Sequence, residues 1–173
     1  MRQIKINIMG SCKVGKTAIC QVLCGKRFPT EYQPTLCVDL STFEDAETKL
    51  YIWELSGADK YRSLITPYMN RSEVGIFVYD ITDITTLSDL DYYIKTFRGP
   101  TRILVANKCD RTGGGAGGAG EEYATQHGML YFETSAKDNK GIKELFSHLA
   151  QQQGSVTDPS IWLTGSIVTN VCC

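Results

Sequence analysis

Charge of one sign is what this chain lacks most plainly: 18 Lys and Arg face 19 Asp and Glu, for a formal net charge of -1. That balance removes the electrostatic footprint of a nucleic-acid binder, and the lack of a basic run removes attraction to acidic lipid headgroups. Histidine is scarce, with two in 173 residues, and the seven cysteines are scattered. Neither a zinc site nor a disulfide framework is indicated, and reduced thiols are expected. Cys20 and Cys24, one helical turn apart, read as small core residues. Long apolar runs are missing too: no stretch approaches the roughly 20 residues that span a bilayer. Met1-Arg2-Gln3 leads into a strand pattern without a secretory apolar region, so a protein kept in the cytosol is expected.

What is present suffices for one core. With 42% hydrophobic and 21% charged residues, the composition fits a single domain over 1–153, followed by a tail over 154–173. Apolar, β-prone runs at Ile4 to Met9, Cys37 to Phe43, Leu50 to Trp53, Val74 to Tyr79, Ile103 to Ala106 and Leu130 to Phe132 read as strands. Helical patterns fall at Ala18 to Cys24, Lys60 to Met69, Leu87 to Phe97, Glu121 to His127 and Ile142 to Gln152. The alternation predicts an α/β fold with a six-stranded, mostly parallel sheet flanked by helices. Phe43 to Thr48 reads as a hairpin turn, which makes one pair antiparallel. The glycine-rich run Thr112 to Gly120 reads as flexible coil without strong contacts, and the short link Lys95 to Pro100 trims the helix before it.

A parallel sheet places its ligand beyond the carboxyl ends of the strands. After the first strand comes Gly10-Ser11-Cys12-Lys13-Val14-Gly15-Lys16-Thr17-Ala18. Glycines allow this backbone to fold around a phosphate, and the following helix presents its positive dipole end to the same anion. Lys16 is placed to reach terminal phosphates and Thr17 to give an oxygen to Mg²⁺. After the fifth strand comes Asn107-Lys108-Cys109-Asp110, and after the sixth Glu133-Thr134-Ser135-Ala136-Lys137. A carboxylate at Asp110 can accept two parallel hydrogen bonds from a base edge with two adjacent donors, which guanine has and adenine lacks. Adenine would leave that charged group short of partners, at a cost of roughly 1 to 3 kcal/mol.

Together these segments resemble a small GTPase of the Ras superfamily, a P-loop NTPase with a small G domain, and within it the Rab branch; the similarity runs from Ile4 to Gln152. The resemblance implies that Phe28 to Thr35 is switch I, with Phe28 against the guanine, Tyr32 beside the nucleotide, and Thr35 binding Mg²⁺ and sensing the γ-phosphate. It implies that Trp53 to Asp59 is switch II, where the Gly57 N–H meets the γ-phosphate and Glu54 supports the metal through water. Ser11 to Ala18, Asn107, Lys108, Asp110, Ser135, Ala136 and Lys137 become the remaining nucleotide contacts, and Lys16, Thr35 and Gly57 the catalytic set. Leu40, Trp53 and Tyr68 match an effector surface, and Cys172 and Cys173 a double geranylgeranylation site. Implied partners are GTP or GDP, effectors, an exchange factor, a GTPase-activating protein, a prenylation escort and, through the lipid, the cytosolic face of an endomembrane. A monomer is expected. Taken singly, Phe28 could be a buried aromatic, Trp53 a core residue and Thr35 a turn hydroxyl.

The departures from the family pattern bear on mechanism. Ala58 stands where a glutamine usually orients the attacking water, so slow hydrolysis is expected. Asp59 next door could substitute, though it is displaced by one residue and negatively charged beside phosphates. Glu54 replaces aspartate, and Cys12 and Lys13 occupy positions that usually hold small residues; Lys13 either points into solvent or adds charge to the phosphate site. Leu40 is smaller than the usual aromatic. From Gln151 onward there is no Lys or Arg, so both terminal thiols would need lipid. Ile161-Trp162-Leu163 either packs on the domain or binds a partner. Two other readings remain: a GTP-binding scaffold with little or no hydrolysis, and a P-loop kinase, for which no arginine-rich lid is visible.

Overall fold

The computed structural model describes residues 1–44, 46–112 and 118–151, with side chains to Ala150. Strand β1 (Arg2–Met9) enters the middle of the sheet and is followed by α1 (Lys16–Leu23). Then come β2 (Val38–Glu44), β3 (Thr48–Leu55), α2 (Arg62–Met69) and β4 (Val74–Asp80). Two short helices, α3 (Thr85–Ser88) and α4 (Asp91–Thr96), lead to β5 (Thr101–Asn107), α5 (Gly118–Gln126), β6 (Leu130–Thr134) and α6 (Ile142–Gln151). The sheet order is β2-β3-β1-β4-β5-β6. Only β2 runs antiparallel, paired with β3 from Val38↔Leu55 to Glu44↔Lys49 as the hairpin pattern predicts.

Helices on both faces require strands that are apolar on both faces. In β4 every residue is buried. Its Ile76 and Val78 join the core beneath α1 and α6, with Ile6, Ile19, Ile52, Val105 and Leu145. The alternate residues Phe77 and Tyr79 join the opposite core with Leu55, Ile65, Met69, Leu90 and Phe97. Phe97 meets Phe77 edge to face at 5.8 Å, which closes this second core beyond the end of α4.

Four expectations change in detail. β3 extends back to Thr48 because Arg2 and Gln3 pair with Thr48 and Lys49. The single helix expected over Leu87 to Phe97 is broken, because the chain tightens at Leu90, whose N–H bonds the Leu87 carbonyl three residues back at 3.2 Å. Cys20 is buried as expected, but Cys24 is partly exposed at the end of α1. The glycine run is not all coil: Gly118 to Gly120 form the first turn of α5, and a Cβ on Gly120 would stand 2.1 Å from the Tyr79 hydroxyl oxygen. That glycine lets α5 lie against β5 and β6 with the Tyr79 and Tyr131 rings beneath it. Residues 113–117 and the whole tail call of 154–173, with Ile161 to Leu163, Cys172 and Cys173, lie outside the described residues.

Candidate functional site

β1 lies between β3 and β4, and the chain crosses from one side of it to the other. The loops after these strands therefore splay apart at the carboxyl edge, the place where open α/β sheets form their crevice. A cleft of about 830 Å³ opens there. It is lined by Cys12, Lys13, Gly15, Lys16, Thr17 and Ala18, by Phe28, Tyr32 and Thr35, by Glu54, Gly57 and Ala58, and by Asn107, Lys108, Asp110, Ala136 and Lys137. Five separate loops thus supply the predicted residues to one cavity. Phe28 is 42% exposed at its wall, so it is not a core aromatic.

The first loop is held in shape from inside. Gly15 caps α1 with φ 102°, and a Cβ there would stand 2.2 Å from the Asn107 amide nitrogen. Both facts demand glycine. Lys16, 6% exposed, donates from Nζ to the carbonyl oxygens of Gly10 and Ser11, each at 2.8 Å. Burial pushes its ammonium down to about 8, while the Glu54 carboxylate works the other way. A phosphate in the cleft would give this desolvated cation its natural partner. Across the loop, a Cβ on Gly57 would lie 2.4 Å from the Ser11 carbonyl carbon, so switch II can rest against the phosphate loop only as glycine.

Three hard oxygens converge between the loops. Glu54 Oε1 accepts from Thr17 Oγ1 at 2.5 Å and from Thr35 Oγ1 at 2.8 Å, and the two hydroxyls are 3.3 Å apart. The chemistry of this donor set fits Mg²⁺, with the two hydroxyl oxygens as ligands and the Glu54 carboxylate supporting the ion through water. A bound Mg²⁺ would neutralise phosphate charge and tie Thr35 of switch I to the nucleotide. Glu54 keeps the negative charge of the usual aspartate.

At the other end, Asn107 ties three loops together. Its Nδ2 donates to the Val14 carbonyl at 2.9 Å, and its Oδ1 accepts from Thr134 Oγ1 at 3.1 Å and from the Ala136 N–H at 3.3 Å. Ser135 Oγ donates to Asp110 Oδ1 at 2.7 Å, which fixes the carboxylate at the cleft wall. Lys108 donates to Asp80 Oδ2. Burial alone would raise the Asp80 carboxyl, but the hydrogen bonds from Lys108 and Thr82 bring it below its ordinary value. Lys108 also takes φ 68°, which turns the chain so that Asp110 faces the cleft.

Three predicted contacts are placed differently. Ser11 does not line the cleft, because its hydroxyl donates to Asp89 Oδ2 at 2.7 Å. Val14 is buried under the loop and offers its carbonyl to Asn107, and Ser135 acts on Asp110 from behind. Asp59, the candidate replacement for the missing glutamine, pairs with Arg62 at 2.8 Å outside the cleft wall, whereas Ala58, Lys60 and Tyr61 line it. Neither Asp89 nor Lys60 was marked by a motif, since their places depend on the turns at Leu90 and Asp59–Tyr61. Lys13 does not project alone into solvent; its ammonium lies over the Tyr32 ring, 5.7 Å from the centroid.

On the sheet surface beside switch II, Leu40 pairs across the strands with Trp53, and Trp53 meets Tyr68 with centroids 5.4 Å apart. The three candidate effector residues form one partly exposed patch, and Leu40 is 45% exposed. Among the described residues, no helix is long and apolar enough to cross a membrane.

The Ras family model matches residues 5–154. Ras-related protein Rab-33A of Mus musculus is 31% identical over 166 residues, covering 87% of this chain and 70% of the relative. Ras-related protein Rab-18 of Lymnaea stagnalis is 30% identical over 174 residues, covering 94% of this chain and 85% of its own. The fold, the five-loop cleft and these matches agree: the chain is a divergent Rab-like member of the Ras family of small GTPases.

Proposed function

We propose that this protein is a GTP/GDP switch that retains GTP and hydrolyses it slowly, recruiting effectors to cytosolic membrane surfaces in vesicle traffic. The observation that carries the slow step is the methyl group of Ala58 at the cleft wall. A methyl neither donates to nor accepts from water, so it cannot orient a nucleophile toward the γ-phosphate. The Ala58 N–H is turned toward Ser56 Oγ at 3.4 Å, and Asp59 is engaged with Arg62. The other residues of the proposed phosphate site line the same cleft. Lys16 would meet the terminal phosphates and the Gly57 N–H the γ-phosphate, while Thr17 and Thr35 would hold Mg²⁺ with Glu54 supporting it through water. Loss of the γ-phosphate would free Thr35 and Gly57, so a partner touching Leu40, Trp53 and Tyr68 reads the nucleotide. Cys172 and Cys173 serve as lipid sites, with an escort, an exchange factor and a GTPase-activating protein as regulators of a monomer.

Single-turnover release of phosphate from the GTP-loaded protein tests this reading. Ala58→Gln is expected to speed release by about tenfold or more, as a water-orienting group does. A wild-type rate equal to that of the glutamine variant would overturn the slow-hydrolysis reading. Thermal stabilisation by GTP but not ATP is the companion result. Equal protection by ATP would remove the role given to Asp110.

A further inference from the structure

One residue of the phosphate loop makes a contact that binding a phosphate does not require. Lys13 places its ammonium 5.7 Å from the Tyr32 ring centroid. Lys13 does so from φ 65°, a left-handed conformation that costs a lysine and is free to glycine. Such local strain persists where something else is gained. Tyr32 belongs to the cleft wall yet is 55% exposed, so little core packing holds it. Its contacts come instead from the opposite lip, across the mouth of the cavity.

We infer that Lys13 latches Tyr32 over the cleft, so that switch I is held by the protein itself as well as by the γ-phosphate. Lys13 is then a positioning residue for nucleotide retention. The inference rests on the reading of the cleft as a guanine-nucleotide site. A switch I held by Thr35 alone would open when the γ-phosphate leaves, whereas the latch has no phosphate in it. It therefore slows release of GDP as well as GTP and narrows the structural difference between the two states.

The test uses the full chain loaded with a fluorescent GDP and Mg²⁺, with release followed on adding excess unlabelled GDP. GDP carries no γ-phosphate, so the latch is read without the Thr35 and Gly57 contacts. Lys13→Gln should speed release about two- to fivefold, the factor expected for a surface cation over an aromatic ring. Lys13→Arg, which keeps the cation, should give back at least half of that slowing. Tyr32→Ala should speed release at least as much, and adding Lys13→Gln to it should change nothing further. If Lys13→Gln releases GDP at the wild-type rate, or keeps its full effect in the Tyr32→Ala background, the latch is wrong; the second outcome would mean that the lysine acts on the phosphates directly. A wild-type chain that does not retain the labelled GDP would instead overturn the nucleotide reading itself.

Discussion

The two ends of the cleft are built differently. At the base end, Asn107, Thr134, Ala136 and Val14 form a buried hydrogen-bonded knot, and each group has its partner within the fold. At the switch end, Cys12, Lys13, Tyr32 and Ala58 line an open wall, and each departs from the family pattern or touches a residue that does. A residue such as Asn107 cannot change without disturbing three loops at once. Ala58 lines the open wall, so on the proposed reading its replacement would alter hydrolysis without stranding a buried polar group.

The largest expected break is at the base end. Asn107→Ala strands a buried carbonyl, a hydroxyl and an N–H, at roughly 1 to 3 kcal/mol for each polar group left unpaired. Urea unfolding should show a loss of about 3 kcal/mol or more, and guanine nucleotide binding should fall with it. A stable, binding-competent variant would show that the knot does not organise the site.

At the switch end, Glu54→Gln keeps size and removes charge. The Mg²⁺ concentration needed for half-maximal retention of nucleotide should rise about tenfold, or about 1.4 kcal/mol, while urea stability changes by less than about 1 kcal/mol. Metal dependence equal to wild type would separate Glu54 from the metal.

The smallest effect lies beside the effector patch. Lys5 sits with its ammonium 5.0 Å from the Trp53 ring centroid, and burial, helped by Arg71, lowers it to about 8. Its unfolded value near 10.4 is higher, so the unfolded chain binds more protons between these two values and stability rises as pH climbs from 8 toward 10. Trp53 emission should change with a midpoint near pH 8 as the cation over the ring is lost, and Lys5→Met should abolish both trends. A pH-independent emission in the wild type would refute the assignment.

Much of this was legible in the sequence because local chemistry carried it. Strands β1, β4 and β5 announced themselves as apolar runs, and the loops after them as glycine, lysine, asparagine and aspartate in fixed order. The break between α3 and α4, the Ser11 to Asp89 hydrogen bond and the packing of Gly120 on Tyr79 were not legible. The last two depend on residues far apart in the chain, the first on a local tightening at Leu90, and no periodicity encodes any of them. Lys13 shows the limit most clearly: as a residue type it suggests solvent or phosphate, and only the fold brings Tyr32 beneath it.

Asn107 also acts as a ruler. By binding the Val14 carbonyl from the end of β5, it fixes how far Asp110 stands from Lys16. On the proposed reading the site then has two marks, the Asp110 carboxylate at the base end and the Lys16 ammonium at the phosphate end. Only a molecule that spans both marks collects both sets of bonds, and that selection is made by the scaffold before either switch has moved.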